Sequence, residues 1–182
     1  MHEFFDRIVI GRANRQTISK YASGIDRYLG LMTLFSAALL GLAISTPIGI
    51  SDDFLGLSGS LTIFTALADL TQSGQGTYAV AGAVLFIALP IFGISAAFDL
   101  WYKYEVHGAK FEKYATRAGA CGRFWYLLAI GSVGFVYLLK TSENGIVYMP
   151  VYYLFLSVLL QKLVLARMTR LTAAVKFVDE ID

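Results

Sequence analysis

The residues of this chain that could do chemistry are few, and their spacing fits none of the common catalytic or metal-binding patterns. His2 and His107 both lie in charged segments outside the long apolar runs, so no imidazole is placed to bind a haem or a chlorophyll inside a membrane. Cys121 is the only cysteine, which excludes an internal disulfide and a CxxC zinc or redox site. No HExxH, GxSxG or phosphate-binding loop motif is present. We therefore expect a protein that is not an enzyme and that carries no metal or organic cofactor.

Three ionisable residues border the apolar runs and are the remaining candidates for a binding role. Lys140 ends the third run, where its ammonium group either contacts a lipid headgroup or carboxylate, or simply extends to the membrane surface. Asp69 lies in a segment without Lys or Arg, so a pair with Lys140 at the outer mouth of the helices is one arrangement open to it. Asp99 ends the second run beside Lys103, which is the ordinary position of a helix-end carboxylate. Lys140 and Asp69 are thus candidate contacts for a lipid or a partner protein.

The element that must position these residues is a long uncharged helix. From Tyr78 to Phe98 the chain has 21 residues without a charged side chain and a single helix breaker, Pro90. At 1.5 Å per residue such a helix is about 30 Å long, which is the thickness of the hydrocarbon core of a bilayer. A helix that is apolar on every face does not lie on the surface of a soluble domain. We interpret the run as a transmembrane helix, in which Pro90 is a kink or a functional hinge and a candidate site residue.

The composition agrees with a small polytopic membrane protein. Of the 182 residues, 57% are hydrophobic and 15% are charged, whereas an ordinary soluble domain has about 25% charged residues. The mean hydropathy is +0.61. Together with three further apolar runs, this predicts an all-α integral membrane protein with one four-helix transmembrane domain over residues 29–168. The four spans cover approximately residues 29–50, 77–100, 124–139 and 151–164.

The placement of the charges predicts the topology. Of the 15 Lys and Arg residues, all but Lys140 lie in the basic N-terminal arm (residues 1–28), in the 101–123 loop or near the C-terminus. The positive-inside rule puts these three segments, both termini and the C-terminal tail (residues 169–182) in the cytoplasm. The N-terminal arm is partly amphipathic, so it either lies on an anionic membrane face or docks on its own bundle.

The segments between the spans carry weaker local signals. Apolar side chains recur at helical spacing after the first span, namely Leu61, Phe64, Leu67 and Leu70. They predict a short amphipathic helix near residues 60–71, lying along the outer surface because about 12 residues cannot cross a bilayer. Before the fourth span, the β-prone residues 146–148 follow Asn144-Gly145, which favours a small hairpin.

One face of the first span consists of small residues spaced four apart: Ala37, Gly41 and Ser45. Small residues let a neighbouring helix approach closely, so we predict that this is a helix-packing face. Pro47 then ends the span.

Several short motifs occur in a recognisable order along the chain. The first half has Pro47, Leu57-Ser58, Leu61, Leu67 and Ser73-Gly74, followed by an apolar span with Leu89-Pro90. The second half has Arg123-Phe124-Trp125 at the start of a span, Lys140 at its end, and Pro150 with Tyr152-Tyr153 at the turn into the last span. Over roughly residues 30–168 this order resembles the paraquat-inducible protein A family of bacterial inner-membrane proteins. The chain departs from that family at Gly93, where the family has a lysine, at residues 126–129, which lack its acidic residue, and in having no cysteine-rich zinc segments.

The resemblance implies a multi-pass protein of the bacterial inner membrane that moves lipids together with a periplasmic protein of the mammalian-cell-entry type. It also implies that lipid passes between the helices, near the small-residue face of the first span and the kink at Pro90.

The residues themselves leave a second function open, a small accessory subunit that packs against a larger membrane complex and does no chemistry. A transporter acting alone is a third alternative, for which four helices without intramembrane charge or an inverted repeat offer little means of coupling to an ion. The expected partners are membrane lipids and other membrane or periplasmic subunits, with no nucleic acid.

Overall fold

The computed structural model describes residues 16–54, 57–141 and 146–179, and it is 80% helical. In this part of the chain, four helical stretches are long and apolar enough to cross a membrane: Gly24–Ser45, Gly76–Lys103, Phe111–Tyr137 and Pro150–Val175. The prediction of a mostly helical protein with four such stretches is therefore confirmed. Three parts of the chain discussed above lie outside the described residues: residues 1–15 of the N-terminal arm with His2, the Asn144-Gly145 turn, and residues 180–182 of the C-terminal tail.

The described helices, helical turns and strands follow one another along the chain. In chain order they are two 3-10 turns (Ile18–Lys20 and Gly24–Tyr28), α1 (Leu29–Ser45), β1 (Gly49–Phe54), β2 (Leu57–Leu61), α2 (Ile63–Gln72), α3 (Gly76–Ala83), a π turn (Val84–Ala88), α4 (Leu89–Phe98), a second π turn (Asp99–Lys103), α5 (Phe111–Arg123), α6 (Trp125–Thr141), β3 (Ile146–Val147) and α7 (Pro150–Asp179).

A π turn precedes Pro90, the residue at which the sequence predicts a kink. In an α-helix the proline ring clashes with the carbonyl group four residues earlier, and the missing N–H leaves a carbonyl without its partner. Here the N–H of Leu89 donates to the carbonyl oxygen of Val84, five residues back, so the helix is widened just before the proline. Pro90 itself is fully buried. The helix therefore accommodates Pro90 by a local change of helix type.

A small antiparallel sheet stands where the sequence indicates a loop, so the fold is not purely helical. β1 is the central strand and pairs through Gly49 with Leu61 of β2 on one side and with Val147 of β3 on the other. The β-prone residues before the fourth span thus form a strand, but the partner of that strand in the described chain is β1 and not a neighbour in a hairpin of its own. Leu61, expected on the amphipathic helix, lies in β2 and is fully buried.

The predicted amphipathic helix is present as α2, and a capping box sets its first residue. The hydroxyl oxygen of Thr62 accepts a hydrogen bond from the N–H of Thr65 at 3.1 Å, and the hydroxyl oxygen of Thr65 accepts one from the N–H of Thr62 at 2.8 Å. These bonds satisfy two of the donors at the start of α2. After the helix, Gly74 has a φ of 77°, a left-handed conformation that favours glycine and turns the chain into α3.

The described residues divide into two compact units. The first unit contains the chain up to Ser36, Phe92–Arg123 and the residues from Leu160 onward; the second contains Ala37–Ile91 and Phe124–Leu159. The core of the first unit surrounds Trp101, which is fully buried. Its other buried members include Ile18, Leu29, Leu100, Phe111, Ala118, Val164, Leu165 and Met168.

The described part of the N-terminal arm packs inside the first unit, against the segment that follows the second π turn. The N–H of Val106 donates to the carbonyl oxygen of Gln16 at 2.9 Å, and Thr17 forms an antiparallel bridge with Glu105. Ile18 is fully buried. The sequence left open whether the arm lies on a membrane face or docks on its own bundle. From Gln16 onward, the described residues of the arm pack against the chain itself.

Residues 101–123 contain a helix, α5, although their charges suggest a loop. One face of α5 is buried through Phe111, Ala118 and Gly122, and the charged side chains lie on the other side. The segment is therefore an amphipathic helix that belongs to the first unit.

Candidate functional site: an apolar cavity

The second unit contains a cavity of about 330 Å³ that is open on one side. A volume of this size lies at the lower end of the range for small-molecule sites, roughly 300–1,000 Å³. Its wall is formed by Ile48, Ile63, Ala66, Leu67, Leu70, Tyr78, Ala81, Gly82, Leu85, Phe86, Gly131, Ser132, Gly134, Phe135, Val151 and Leu154.

One side of the cavity is the apolar face of α2, which packs against α3. The α2 residues that line the cavity follow helical spacing, as Ile63, Ala66, Leu67 and Leu70. Gly82 of α3 permits the close contact, because a Cβ atom there would lie 2.9 Å from Cδ2 of Leu67. A larger residue at position 82 would force the end of the Leu67 side chain to move and so change the shape of the cavity.

The opposite side is α6, where glycines leave the space open. A Cβ atom on Gly131 would be in ordinary contact with Cδ1 of Leu85 at 3.6 Å, whereas one on Gly134 would have no neighbour within 4 Å. Phe86 and Phe135 meet with their ring centroids 6.0 Å apart and the planes tilted by 60°, a favourable aromatic arrangement. The missing side chain at Gly134 therefore contributes directly to the empty volume.

The wall offers almost no polar group to a ligand. Among the lining residues, Tyr78 and Ser132 are the two with polar side chains. The hydroxyl of Ser132 already donates to the carbonyl oxygen of Leu128 at 2.8 Å, and Tyr78 is 63% exposed. A polar ligand would lose hydrogen bonds to water here without replacing them, at a cost of a few kcal/mol per group. The cavity is suited to a hydrocarbon ligand.

The residues singled out from the sequence lie around the cavity and not in its wall. Lys140 is exposed at the end of α6, and Asp69 is partly buried on α2. No ion pair joins these two side chains among the residues that the structure describes. Pro90 is buried beyond the π turn, four residues after Phe86, which lines the cavity. The structure does not bring the three residues together into one site.

The small-residue face of α1 is uncovered. Gly41 and Ser45 are exposed, Ala37 is half-buried, and a Cβ atom on Gly41 would have no neighbour within 4 Å. The buried residues of α1 lie on another face, comprising Leu29, Thr33, Ser36, Leu39, Leu40 and Ala43. No other part of the described chain packs on Gly41, so the prediction of a helix-packing face now concerns only a separate molecule.

Sequence reasoning placed Leu67 and Leu70 on an amphipathic helix but missed the cavity that they line. The signal that was available is the pair Gly131 and Gly134 in the third span, since two glycines three residues apart leave a gap on one helix face. These glycines lie about 60 residues after α2 in the sequence, so nothing in the sequence indicated that they line the same cavity as Leu67 and Leu70.

The four apolar helices define this protein as a multi-pass membrane protein. The described residues contain no group of three or more His, Cys, Asp or Glu side chains that could hold a metal ion. A scan against protein-family models, a search of curated proteins and a search of solved structures each found no match. The likeness to the paraquat-inducible protein A family therefore depends only on the motifs quoted above.

Proposed function

We propose that this protein binds the hydrocarbon chain of a membrane lipid in the cavity of its second unit and takes part in lipid trafficking. The observation that supports the proposal is the cavity wall, in which the one buried hydroxyl, that of Ser132, is already hydrogen-bonded. The volume of about 330 Å³ is about twice that of an engineered apolar cavity of about 150 Å³ that stays dry and binds benzene. It is large enough for a segment of an acyl chain.

Retention of a lipid in such a site depends on fit. Because the bilayer around the protein is as apolar as the cavity, there is no hydrophobic gain on moving an acyl chain from one to the other. The preference comes from packing against fixed walls such as the Phe86–Phe135 pair, where each contact between carbon atoms contributes about 0.1–0.2 kcal/mol. The expected ligand is thus a lipid whose chain fills the cavity, and it should stay bound when the surrounding bilayer is replaced by detergent.

The proposed location and partner follow from charge and from the family resemblance. With the basic segments in the cytoplasm, the sheet and α2 lie on the outer side of the bacterial inner membrane. A mammalian-cell-entry-type periplasmic protein would take up or deliver lipid on that side. Lys140 and Asp69 are candidate contacts for the headgroup or for the partner, and Pro90 follows the π turn that contributes to the wall.

The experiment is a lipid-retention measurement on the purified full chain with a matched pair of glycine variants. Gly134→Leu fills open space inside the cavity, while Gly41→Leu adds the same side chain in open space on α1, away from the cavity. After extraction in mild detergent, native mass spectrometry should show one bound lipid on the wild type and on Gly41→Leu, and a loss of at least tenfold in occupancy on Gly134→Leu. Equal lipid on Gly134→Leu and the wild type, or no lipid on the wild type, would contradict the proposal.

The uncovered face of α1 favours a second candidate function, the accessory subunit. If Gly41 marks the contact with a larger complex, Gly41→Leu should abolish co-purification of stoichiometric protein subunits while Gly134→Leu preserves it. The two variants thus give opposite results under the two functions. A periplasmic lipid-binding partner that is retained with Gly41→Leu would support lipid trafficking.

A further inference from the structure

One exposed face of α5 and the residue before it carries three cations that form no ion pair with any described residue. Lys110, Lys113 and Arg117 are spaced three and four residues apart, so their side chains share one side of the helix, and all three are exposed. None of them has an ion-pair partner among the described residues, whereas the nearby Lys103 pairs with Asp99 at 3.5 Å. We call Lys110, Lys113 and Arg117 the cationic stripe.

Aromatic stacking fixes the position of Arg117 and leaves its charge intact. The guanidinium carbon of Arg117 lies 5.3 Å from the ring centroid of Tyr114, within cation–π range. The Tyr114 ring stacks in turn on Tyr104, with centroids 3.8 Å apart and planes 19° from parallel. The two tyrosine side chains also hydrogen-bond, which raises the pKa of the Tyr104 hydroxyl. A guanidinium group held on a ring face still presents its N–H donors in its own plane, ready for a bidentate anion.

The opposite face of α5 packs against α7, so a rotation of α5 that would bury the cationic stripe is opposed by these contacts. A Cβ atom on Gly122 would lie 3.3 Å from Cβ of Leu165, and one on Gly119 would lie 3.9 Å from the side chain of Thr169. The ammonium group of Lys162 donates to the carbonyl oxygen of Gly122 at 3.3 Å. α5 is therefore fixed against α7 with its cations pointing outward.

We propose that the cationic stripe binds the phosphate groups of anionic phospholipids at the membrane surface. The stripe lies at the charged N-terminal end of the Phe111–Tyr137 stretch, ahead of its apolar part in α6, so the nearest dense array of anions is the headgroup layer of the bilayer itself. Phosphate matches the stripe in charge and in geometry, because it accepts bidentate hydrogen bonds from a guanidinium group and single bonds from lysines. This site goes beyond the apolar cavity: it lies in the first unit and recognises the polar end of lipids, whatever the cavity holds.

The test uses the full chain reconstituted in phosphatidylcholine vesicles that contain a spin-labelled lipid. The electron paramagnetic resonance spectrum gives the fraction of label immobilised at the protein, and the ratio of association constants for phosphatidylglycerol over phosphatidylcholine is the readout. Each cation near the surface contributes about fivefold to such a ratio. Lys113→Gln and Arg117→Gln should each lower it about fivefold, and 1 M salt, where the Debye length is about 3 Å, should remove the preference.

Matched variants separate this site from a general effect of charge. Lys103→Gln removes a cation that is 59% exposed but already paired with Asp99, and the ratio should stay within twofold of the wild type. Tyr114→Phe should keep the ratio and Tyr114→Leu should lower it although Arg117 is still present, because only the ring positions the guanidinium group. A wild-type ratio near one, or an equal loss in Lys103→Gln and Arg117→Gln, would overturn the proposal. Lys103, Lys113 and Arg117 are exposed, whereas Tyr114 is partly buried against the core of the first unit. Each variant is therefore compared with the wild type at a matching elution profile, which excludes misfolding as the cause.

Discussion

Gly30 of α1 lies directly against the buried Trp101, and the substitution Gly30→Ala should damage the first unit. A Cβ atom at position 30 would lie 2.5 Å from Nε1 and 2.7 Å from Cδ1 of Trp101, and 2.6 Å from the hydroxyl oxygen of Tyr102. Optimal separations between non-bonded carbon atoms are about 3.5–4.0 Å. Trp101 is fully buried, so its indole ring has no free volume into which to move. The alanine must displace α1 or the π turn at Asp99–Lys103.

The magnitude follows from two opposing effects. Overpacking in a dense core costs about 1–3 kcal/mol, and the three short distances put Gly30→Ala at the upper end of that range. Alanine is favoured over glycine inside a helix by about 1 kcal/mol. The net destabilisation is about 2 kcal/mol, which is about a 30-fold change in the unfolding equilibrium.

The assay is unfolding in mixed micelles with an increasing fraction of sodium dodecyl sulphate, followed by tryptophan fluorescence. Gly41→Ala is the matched control, because Gly41 lies in the same helix and a Cβ atom there has no neighbour within 4 Å. It should leave the free energy of unfolding unchanged or raise it by up to about 1 kcal/mol. If Gly30→Ala proves as stable as Gly41→Ala, the close packing of α1 on Trp101 is refuted.

Three further substitutions test smaller features of the structure. Thr62→Ala removes the capping box of α2 and should destabilise that helix by about 1 kcal/mol, seen as faster hydrogen exchange of its first amides; Thr71→Ala, whose hydroxyl bonds back to Leu67 within the helix, should not. Arg167→Gln breaks the 3.6 Å ion pair with Asp26, in which the Arg167 side chain is 55% exposed. The free energy of unfolding should fall by at most about 1 kcal/mol at low salt and by less at high salt. Arg170 is also exposed, and Arg170→Gln should show no such dependence on salt. Lys140→Ala removes an exposed side chain that has no ion pair in the described chain, so the free energy of unfolding should match that of the wild type. As a candidate headgroup contact, Lys140 should lower the amount of bound lipid when it is replaced by alanine, and an occupancy equal to the wild type would exclude it from that role.

The spans were the most predictable part of the fold, because an uncharged run such as Tyr78–Phe98 has only one environment that suits it. The amphipathic helix was predictable as well, and its first residue is set by local chemistry between Thr62 and Thr65. Pro90 predicted a local distortion of the helix, but the sequence did not show whether this would be a kink or a π turn. A kink and a π turn both relieve the clash of the ring, and the choice depends on packing that one segment does not encode.

The sheet and the cavity were beyond sequence reasoning for a different reason. β1 pairs with β3 about one hundred residues later, and strands this short leave no periodic pattern that identifies their partners. The cavity similarly needs walls from α2, α3, α6 and α7 at once. The helix α5 was not predicted, because its segment contains many charged residues. Its buried residues Phe111, Ala118 and Gly122 are nevertheless spaced as one face of a helix.

The pairing of β1 with its neighbours has a consequence for how a lipid gains access to the interior of the protein. The carbonyl oxygen of Ile48 accepts a hydrogen bond from the N–H of Tyr148 at 2.9 Å, and the N–H of Ile48 donates to the carbonyl oxygen of Leu61 at 2.7 Å. Main-chain hydrogen bonds therefore hold the segment after α1 against the segment before α7. Parting them would break main-chain bonds, whereas swinging α2 aside gives up van der Waals contacts such as that between Leu67 and Gly82. If the opening must widen to admit or release a lipid, a displacement of α2 should therefore cost less free energy than a separation of α1 from α7.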